Sequence, residues 1–353
     1  MTPQERLIVN LSGEQPDRIS YEFGFTPQLV KEFQQRTGSN NPVEYYDFDY
    51  RELFLLPTNS PHDFSDFLGE LPAGSEVDEW GVGHRPGSKY HFTKMIHPLA
   101  GKALNALDKY PFPDIEAAYR SAHWKSDAAC LHDRGYFVQG FAEHIFERAW
   151  YLRGLDNLLM DFYINHEFAS RLLDIITEKV GTLAEKLARY CDMVRLGDDV
   201  GTQKGMMMSP QCWREWLKPR LAKVIARART INPQVFIWYH SDGDISEILD
   251  DLIEVGVNVL NPVQPECLNP FEVRKRFGRR LAMWGTVGTQ TTMPFGSPEE
   301  VQRVIKQLLV GLDWRGIVVA PTHILEPDVP WANIDAFVEA MQKYGSPKNR
   351  LNK

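Results

Sequence analysis

The stretch Val235-Phe-Ile-Trp-Tyr-His-Ser-Asp-Gly-Asp244 indicates the fold most directly. Its first four residues form a short apolar run, which is typical of a buried strand, and a helical pattern begins near Ile245. His240 and Asp242 stand two residues apart at the end of this strand, so their side chains point the same way. A buried strand followed directly by a helix is typical of a parallel α/β sheet, with such polar residues at its carboxyl edge.

The alternation of strand and helix recurs from about residue 134 onward. Apolar runs predict strands at residues 135–140, 192–198, 234–239, 257–261, 281–285 and 316–320. Helical spacing and Ser-Pro starts predict helices at residues 166–191, 209–228, 245–255, 270–277, from 297 onward and at 331–343.

These six strands are close to the number that closes a barrel. Residues 18–23 could supply a seventh strand, and one more would complete a TIM (β/α)8-type barrel, which is the predicted α/β fold. An open doubly wound sheet is the alternative. The sequence has no G-x-G-x-x-G or G-x-x-x-x-G-K-[ST] loop to support the nucleotide-binding versions of that alternative.

The amino-terminal third of the chain has a different character. Residues 25–133 lack a clear period and are rich in Pro, Gly, Asp, Tyr and His. A length of 353 residues is within the range of one α/β barrel with additional segments. We therefore expect residues 1–353 to form a single barrel domain, in which residues 25–133 are an irregular elaboration covering the barrel mouth.

Composition and charge limit the possible partners. The chain has 47 acidic and 39 basic residues, a net charge of −8 and no long basic run, so we expect neither a nucleic-acid partner nor docking on anionic membranes. No apolar stretch reaches the ~18 residues that span a bilayer, and residues 1–6 lack a signal-peptide pattern. We expect a cytoplasmic location. The four cysteines are widely spaced without a CxxC pair, so a zinc site of close cysteine pairs is not expected.

Two strand ends carry histidines. His240 and Asp242 follow one strand, and His323 lies in the comparable segment Val318-Val-Ala-Pro-Thr-His323. Because the carboxyl ends of barrel strands share one mouth, these side chains could meet there and hold a metal or move a proton. The structural alternatives are that Asp242 or Asp244 caps the following helix and that His323 is a loop histidine bonded to a backbone carbonyl.

Further polar residues follow other strands. Asp198 and Asp199 are adjacent, so we expect one to face the barrel axis and the other to cap the next turn. Glu143, Gln203 and Trp238 are candidate substrate contacts. An ion pair, a loop cap and core burial are the respective structural alternatives.

In order along the chain, these motifs resemble the uroporphyrinogen decarboxylase superfamily, which includes the corrinoid-dependent methyltransferases. The resemblance rests on Glu5-Arg6, Gly13-Glu-Gln-Pro-Asp-Arg18, Gly197-Asp-Asp-Val-Gly-Thr-Gln203 with Ser209-Pro210, Tyr239-His-Ser-Asp-Gly243, Gly285-Thr-Val-Gly288, Ala320-Pro-Thr-His323, Asp328-Val-Pro330 and Asn333-Ile334. It implies a TIM-type barrel with its site at the strand carboxyl ends, makes a homodimer plausible, and selects Asp198 as the catalytic carboxylate.

The two branches of the superfamily differ in their signatures. Uroporphyrinogen decarboxylase proper has an arginine-rich loop near its amino terminus, which binds the carboxylates of its substrate. Here Ile19-Ser-Tyr-Glu-Phe-Gly24 stands in that place, with an acid and no arginine. Because a polyanionic substrate needs arginines, the chain resembles the methyltransferase-like branch more closely.

The methyltransferase branch has a zinc site of the pattern His-x-Cys followed much later by a second Cys. By position, His240 matches the histidine, while Asp242 and His323 stand where the two cysteines would be. Nitrogen and oxygen ligands still suit zinc, and they also suit Fe(II), Mn(II) or Co(II). The loss of sulfur makes the centre harder, which favours activation of an oxygen substrate or water over a thiol.

The resemblance therefore implies a metal-dependent, methyltransferase-like enzyme for a small substrate, with zinc the first choice of metal. The chain has no Asp-x-His-x-x-Gly motif, so the corrinoid is expected on a partner protein. The alternative is a metal-free carboxy-lyase, in which Asp198 stabilises a cationic or protonated intermediate and His240 moves a proton. A third hypothesis is a non-catalytic ligand-binding barrel.

Overall fold

The computed structural model describes residues 1–56, 62–86, 93–115 and 118–346. The strands in chain order are β1 (Tyr50–Leu53), β2 (Glu76–Val77), β3 (Gly83–Pro86), β4 (Thr93–Ile96), β5 (Phe137–His144), β6 (Met193–Gly197), β7 (Gly201–Thr202), β8 (Gly205–Met206), β9 (Phe236–His240), β10 (Val259–Asn261), β11 (Ala282–Trp284) and β12 (Ile317–Val318).

The helices surround these strands. In chain order they are α1 (Pro3–Leu11), α2 (Pro27–Thr37), α3 (Pro42–Tyr45), α4 (Ser65–Leu68), α5 (Ala118–Ser121), α6 (Trp124–Asp133), α7 (Phe146–Arg153), α8 (Leu155–Ile164), α9 (His166–Ala188), α10 (Pro210–Trp216), α11 (Lys218–Ile231), α12 (Leu249–Val255), α13 (Pro270–Phe277), α14 (Thr292–Phe295), α15 (Pro298–Gly311) and α16 (Trp331–Tyr344), with 3-10 turns at Leu104–Asp108 and Ser246–Ile248. Within the described ranges, none of these helices is both long enough and apolar enough to cross a membrane.

Seven strands form one curled sheet in the order β1, β5, β6, β9, β10, β11, β12, and every pair in it is parallel. This confirms the predicted α/β barrel of the TIM type and all six strands predicted after residue 134. The segment predicted as a seventh strand, residues 18–23, makes a single parallel bridge from Tyr21 to Val319 beside β12. It thus lies in the eighth position of the barrel without forming a regular strand.

The strand of the barrel sheet missed by the sequence analysis is β1, which lies inside the segment treated as irregular. Its sequence, Tyr-Arg-Glu-Leu, has charged residues at both central positions and so lacks an apolar run. The same segment contains a small antiparallel sheet of β2, β3 and β4. Its described residues pack beside the barrel, where Leu99 N–H donates to the Leu152 carbonyl of α7. That the segment covers the mouth stays a prediction, since residues 57–61 and 87–92 lie outside the described ranges.

Side chains alternate between the two faces of the barrel sheet. Those facing outward pack against the helices and include Val138, Val194, Leu196, Ile237, Tyr239, Leu260 and Met283. Those facing inward at the amino end form a second apolar cluster of Phe137, Met193, Phe236, Val259, Ala282 and Val318. Helix α1 closes this end of the barrel with Leu7 and Leu11. The apolar residues therefore fill the barrel interior at the amino ends of the strands. The interior at the carboxyl ends is left to polar groups.

A buried ion cluster fastens the amino-terminal segment to the barrel. The carboxylate of Asp49, directly before β1, accepts hydrogen bonds from Arg6 Nη1 at 2.7 Å and from Arg18 Nη2 at 2.8 Å. Its side chain is 1% exposed, and that of Arg6 is 9% exposed. Removing one partner from a buried ion pair leaves the other charge without compensation.

We expect Asp49→Asn to lower the free energy of unfolding by roughly 3 kcal/mol, because the Arg6 guanidinium then stays buried without one of its two carboxylates. Urea denaturation measures this change. The matched control is Asp47→Asn, whose carboxylate is 72% exposed and should change stability by less than about 0.5 kcal/mol. Equal effects of the two substitutions would contradict this role of Asp49.

Candidate active site

A cavity of about 480 Å³ occupies the upper barrel and opens at the carboxyl ends of the strands. We call it the chamber. Its lining residues are Glu22, Phe23, Gly24, Tyr50, Glu52, Gln139, Phe141, His144, Arg195, Trp238, His240, Asn261, Trp284, Pro321, Thr322, His323 and Ile324. Most of these are the inward-facing residues of successive strands, so the chamber follows from the period-two geometry of the sheet.

The ring of His240 is held in one orientation. The Asn261 amide nitrogen donates to the Trp284 carbonyl at 2.9 Å, so the Asn261 oxygen faces His240 and accepts from its Nδ1–H at 2.6 Å. The ring also lies parallel to the indole of Trp238, with centroids 5.6 Å apart. Nε2 is therefore the nitrogen that points to Asp199, whose Oδ1 is 3.5 Å away. A hydrogen bond at one nitrogen that directs the other is the usual arrangement of metal-binding histidines.

Three side chains converge at the mouth of the chamber. One potential ligand atom from each of Asp199, His240 and Asp242 lies within 4.8 Å of the other two. Asp242 N–H also donates to Asp199 Oδ1 at 2.8 Å, which links the two acids. Burial raises the pKa of Asp242, the charge of His240 opposes that shift, and the carboxylate of Asp199 adds to it. We call these three residues the mouth cluster.

The structure brings together two of the three predicted metal ligands. His240 and Asp242 belong to the mouth cluster, whereas Asp199 takes the third place in it. His323 lines the same chamber, but its ring is exposed and its Nδ1 lies 3.2 Å from the Ile324 carbonyl. This is the backbone contact of the structural alternative for His323. Its role as a ligand stays a prediction.

The adjacent acids Asp198 and Asp199 lie in different surroundings. Asp198 is buried, and its Oδ1 accepts from the backbone N–H groups of Phe146 at 2.6 Å and Glu147 at 3.0 Å, which caps the first turn of α7. Burial raises the pKa of Asp198 well above its usual value, and the charge of Glu147 adds to this. Asp198 thus does not line the chamber, whereas Asp199 faces His240. The catalytic role of Asp198 stays a prediction.

His144, which directly follows the predicted substrate contact Glu143, lines the chamber. Its Nδ1 lies 2.6 Å from the Gly197 carbonyl and 3.2 Å from Glu147 Oε2. Because both partners are acceptors, Nδ1 carries the proton and Nε2 remains free in the neutral ring. The neighbouring Glu143 pairs with Arg148 at 2.8 Å, the contact of its structural alternative. Its role as a substrate contact stays a prediction.

The remaining predicted residues lie at different depths. Trp238 lines the chamber, and the Arg195 guanidinium lies 4.6 Å from its ring centroid. Gln203 is exposed and lines a second groove of about 170 Å³, which shares Asp242 and His323 with the mouth. Asp244 accepts from Ser246 N–H at 2.9 Å, in the turn before the 3-10 segment Ser246–Ile248.

The deep chamber contains charges that the sequence analysis did not place there. Glu22 accepts from Trp284 Nε1 at 2.9 Å and from the Tyr50 hydroxyl at 3.3 Å. Arg195 Nη1 donates to Glu52 at 2.9 Å. Burial raises the pKa of Glu22, while the hydrogen bond from Trp284 opposes that shift. The sequence signal that could have revealed this site is the presence of charged residues at inward-facing positions of the barrel strands.

Comparison with known proteins assigns the family of this chain. The sequence pattern of the family described as uroporphyrinogen decarboxylase (URO-D) matches residues 105–344. This is more than half of the chain, so the protein belongs to the uroporphyrinogen decarboxylase family. The resemblance drawn from the motifs is confirmed.

Two curated relatives represent the two branches. The methylcobamide:CoM methyltransferase MtaA of Methanosarcina barkeri is 28% identical over 174 residues, which cover 49% of this chain and 48% of the relative. A uroporphyrinogen decarboxylase of Chlorobaculum parvum is 23% identical over 186 residues, which cover 51% of this chain and 50% of the relative. The chain spans about half the length of the curated relatives it matches. The higher identity is to the methyltransferase.

A solved structure extends the likeness over the whole barrel. The methyltransferase from Methanosarcina mazei aligns with 98% of this chain and 99% of its own, with a TM-score of 0.68 and 19% sequence identity. At this identity the likeness shows a shared fold and nothing of the substrate.

The raised pKa of Glu22 predicts a pH dependence of stability. A folded-state pKa above the unfolded value of about 4.3 means that this group stabilises the fold below pH 4.3, and that this contribution is lost as the pH rises through the folded pKa. Glu22→Gln does not titrate. The melting temperature of Glu22→Gln minus that of the wild type should therefore increase from pH 4 to pH 8. A difference that stays constant or falls over this range would contradict the assigned environment of Glu22.

Proposed function

We propose that this protein is a metal-dependent methyltransferase that acts on a small substrate in the chamber, with the methyl group carried by a separate corrinoid protein. The observation that carries the proposal is the mouth cluster, in which one imidazole and two carboxylates converge above the chamber. Family membership and the similarity to a methylcobamide:CoM methyltransferase support it.

The residues of the mouth cluster fit a divalent cation. They offer one nitrogen and carboxylate oxygens, a donor set that suits zinc and also Fe(II), Mn(II) or Co(II). The hydrogen bond to Asn261 directs Nε2 of His240 toward the carboxylates of the mouth cluster. His323, at the rim of the chamber, is available as a further ligand. A bound metal would act as a Lewis acid that lowers the pKa of a substrate hydroxyl or thiol.

His144 is the group best placed to carry the substrate proton. Its Nδ1–H is held by Gly197 and Glu147, and Glu147 is in turn held by the Tyr151 hydroxyl at 3.0 Å. The ring centroid of His144 is 6.5 Å from that of His240, so the free Nε2 is within reach of a substrate bound between them. A carboxylate behind a histidine is a common arrangement for general acid–base catalysis.

The proposal includes a corrinoid partner because the name of the similar methyltransferase specifies a methylcobamide. The chain has no Asp-x-His-x-x-Gly motif. We propose that the methyl-bearing cobalt approaches the mouth on a separate corrinoid protein. A homodimer and a cytoplasmic location stay predictions; light scattering after size exclusion measures the mass in solution.

The metal-free decarboxylase alternative has less support. In the chamber, the guanidinium of Arg195 is paired with Glu52, and a second acid, Glu22, lies nearby. A substrate with several carboxylates would meet two acids and one paired cation. The chamber charge therefore favours the methyltransferase proposal.

Metal content tests the mouth cluster. We expect wild-type protein to hold about one divalent metal per chain, measured by elemental mass spectrometry after desalting. His240→Ala, Asp242→Ala and Asp199→Ala should each reduce retention tenfold or more. Asp244→Asn, in the turn after β9, should retain wild-type content, because its carboxylate accepts only from Ser246 N–H among the described residues. A wild-type protein that stays metal-free after growth and dialysis with zinc would contradict the proposal.

Methyl transfer tests the reaction. Methylcobalamin replaces the methylated partner, a thiol and an alcohol are offered as acceptors, and loss of the methylcobalamin absorbance is followed. We expect the wild type to accelerate demethylation and His144→Gln to slow it by roughly 10²-fold with unchanged metal content, because only the proton carrier is lost.

The control for this assay is Asp244→Asn, which should keep the wild-type rate. Demethylation that is no faster with metal-loaded wild type than without protein, for both acceptors, would argue for a non-catalytic barrel. A wild-type rate in His144→Gln would remove that residue from the mechanism while leaving the methyltransferase proposal intact.

A further inference from the structure

Glu22 is a carboxylate in the chamber wall whose charge no neighbouring cation compensates. Its two hydrogen-bond donors are neutral groups, Trp284 Nε1 at 2.9 Å and the Tyr50 hydroxyl at 3.3 Å. Among the described residues, Arg195 is the only arginine or lysine that lines the chamber, and its Nη1 is already paired with Glu52 at 2.9 Å. The negative charge of Glu22 is therefore left over when the charges of the wall are paired.

A carboxylate in this position needs either a proton or a cation. Glu22 lies far below the protein surface, and burial raises its pKa, whereas the hydrogen bond from Trp284 and the charge of Arg195 oppose that shift. Uptake of a proton removes the uncompensated charge. A bound cation has the same effect, because it compensates the ionised carboxylate directly.

A ligand in the chamber can reach Glu22. The residue is half-buried and lines the cavity, so part of it is open to the interior space. The two oxygens of a carboxylate offer about four acceptor positions, and Trp284 and Tyr50 use one on each oxygen. The remaining positions can accept hydrogen bonds from a ligand or contact its positive charge.

The wall around Glu22 is aromatic. The rings of Tyr50 and Trp284 meet edge to face with their centroids 5.8 Å apart, and Phe23 and Phe141 line the same cavity. Aromatic rings attract organic cations, and the attraction is stronger where water is excluded. A carboxylate surrounded by aromatic rings therefore suits an ammonium ion, and a cavity of about 480 Å³ admits a small organic molecule.

Ligands of other charge suit this place less well. An anion would meet two acids, Glu22 and Glu52, and would have to compete with Glu52 for the guanidinium of Arg195. A neutral molecule would leave the charge of Glu22 uncompensated.

We propose that the deep part of the chamber binds the ammonium group of a small organic cation, with its charge against the carboxylate of Glu22 and its carbon atoms against Tyr50 and Trp284. The other end of that molecule extends toward the mouth cluster. The inference deepens the proposed function by giving the substrate class. It rests on that proposal only for the reaction of the bound molecule, since the binding itself needs neither a methyl donor nor a corrinoid protein.

Two pairs of probes test this subsite by isothermal titration of the purified wild type without a methyl donor. Choline is paired with the alcohol in which carbon replaces its charged nitrogen, and butylammonium is paired with n-butanol. The first pair tests a methylated ammonium and the second a primary one. We expect the cation of at least one pair to bind about tenfold more tightly than its neutral partner, because its charge meets Glu22 away from bulk water.

Glu22→Gln removes the charge and keeps the size of the side chain. The cation and its neutral partner should then bind with affinities within about twofold of each other, because the ion pair is lost while the aromatic wall stays. The matched control is Glu254→Gln, the same change at a position of α12 whose side chain is 71% exposed. This variant should keep the wild-type preference.

The preference for the cation should also increase from pH 5 to pH 8, because the ionised form of Glu22 holds the cation. When protonated Glu22 takes up the cation, its O–H bond breaks, the proton passes to the buffer and the ion pair forms. Titrations in phosphate and in MOPS, which differ in protonation enthalpy, measure that proton. The other charged or titratable groups that face Glu22 are Arg195 of β6 and Tyr50 and Glu52 of β1. Loss of the pH dependence in Glu22→Gln assigns it to Glu22 rather than to them.

The proposal is wrong if neither cation binds more tightly than its neutral partner in the wild type, or if the preference persists in Glu22→Gln. A preference that persists in Glu22→Gln but is lost in Asp242→Asn would place the cation at the mouth cluster instead. If Glu22→Gln does not fold, the wild-type probe pairs and the proton release decide. Because no methyl transfer enters these measurements, a negative result is separate from failure of the methyltransferase proposal.

Discussion

The alternation of side chains along short parallel strands is the constraint on which the chamber depends. Each strand alternates between the helix layer and a single interior, so the inward residues of neighbouring strands must meet. His240 and Asn261 are register partners on β9 and β10, and the hydrogen bond that orients the imidazole follows from that pairing. The direction of Nε2 is therefore set by the backbone ladder rather than by a loop, which is how a rigid scaffold preorganises a site.

The same alternation brings charge into the barrel. Arg195 occupies an inward position of β6, and its charge is tolerated because Glu52 compensates it two strands away. Such a pair contributes little net stability, since desolvation offsets the attraction. What it does provide is a fixed polar surface under the mouth cluster. The chamber thus has polar groups both at its deep end and at the mouth cluster.

Much of the fold could be predicted from the sequence, whereas the site could be predicted only in part. The six strands after residue 134 could be predicted because each is a short apolar run. Strand β1 could not, because both of its central residues are charged. Only the structure shows that Tyr50 and Glu52 of this strand face the barrel interior. His240 and Asp242 could be selected because strand geometry relates them. His323 could not be placed in the same way, because it follows the last strand in a loop whose path no periodicity determines.

The adjacent acids after β6 have a consequence for how this protein can vary in evolution. Asp198 holds the first turn of α7, and Asp199 faces His240. A single-residue insertion or deletion before this pair would move each carboxylate to the opposite side of the wall and remove both interactions at once. Lineages of this protein should therefore vary the composition of the turn but keep its length, and length changes should accumulate in the segment before β5 instead.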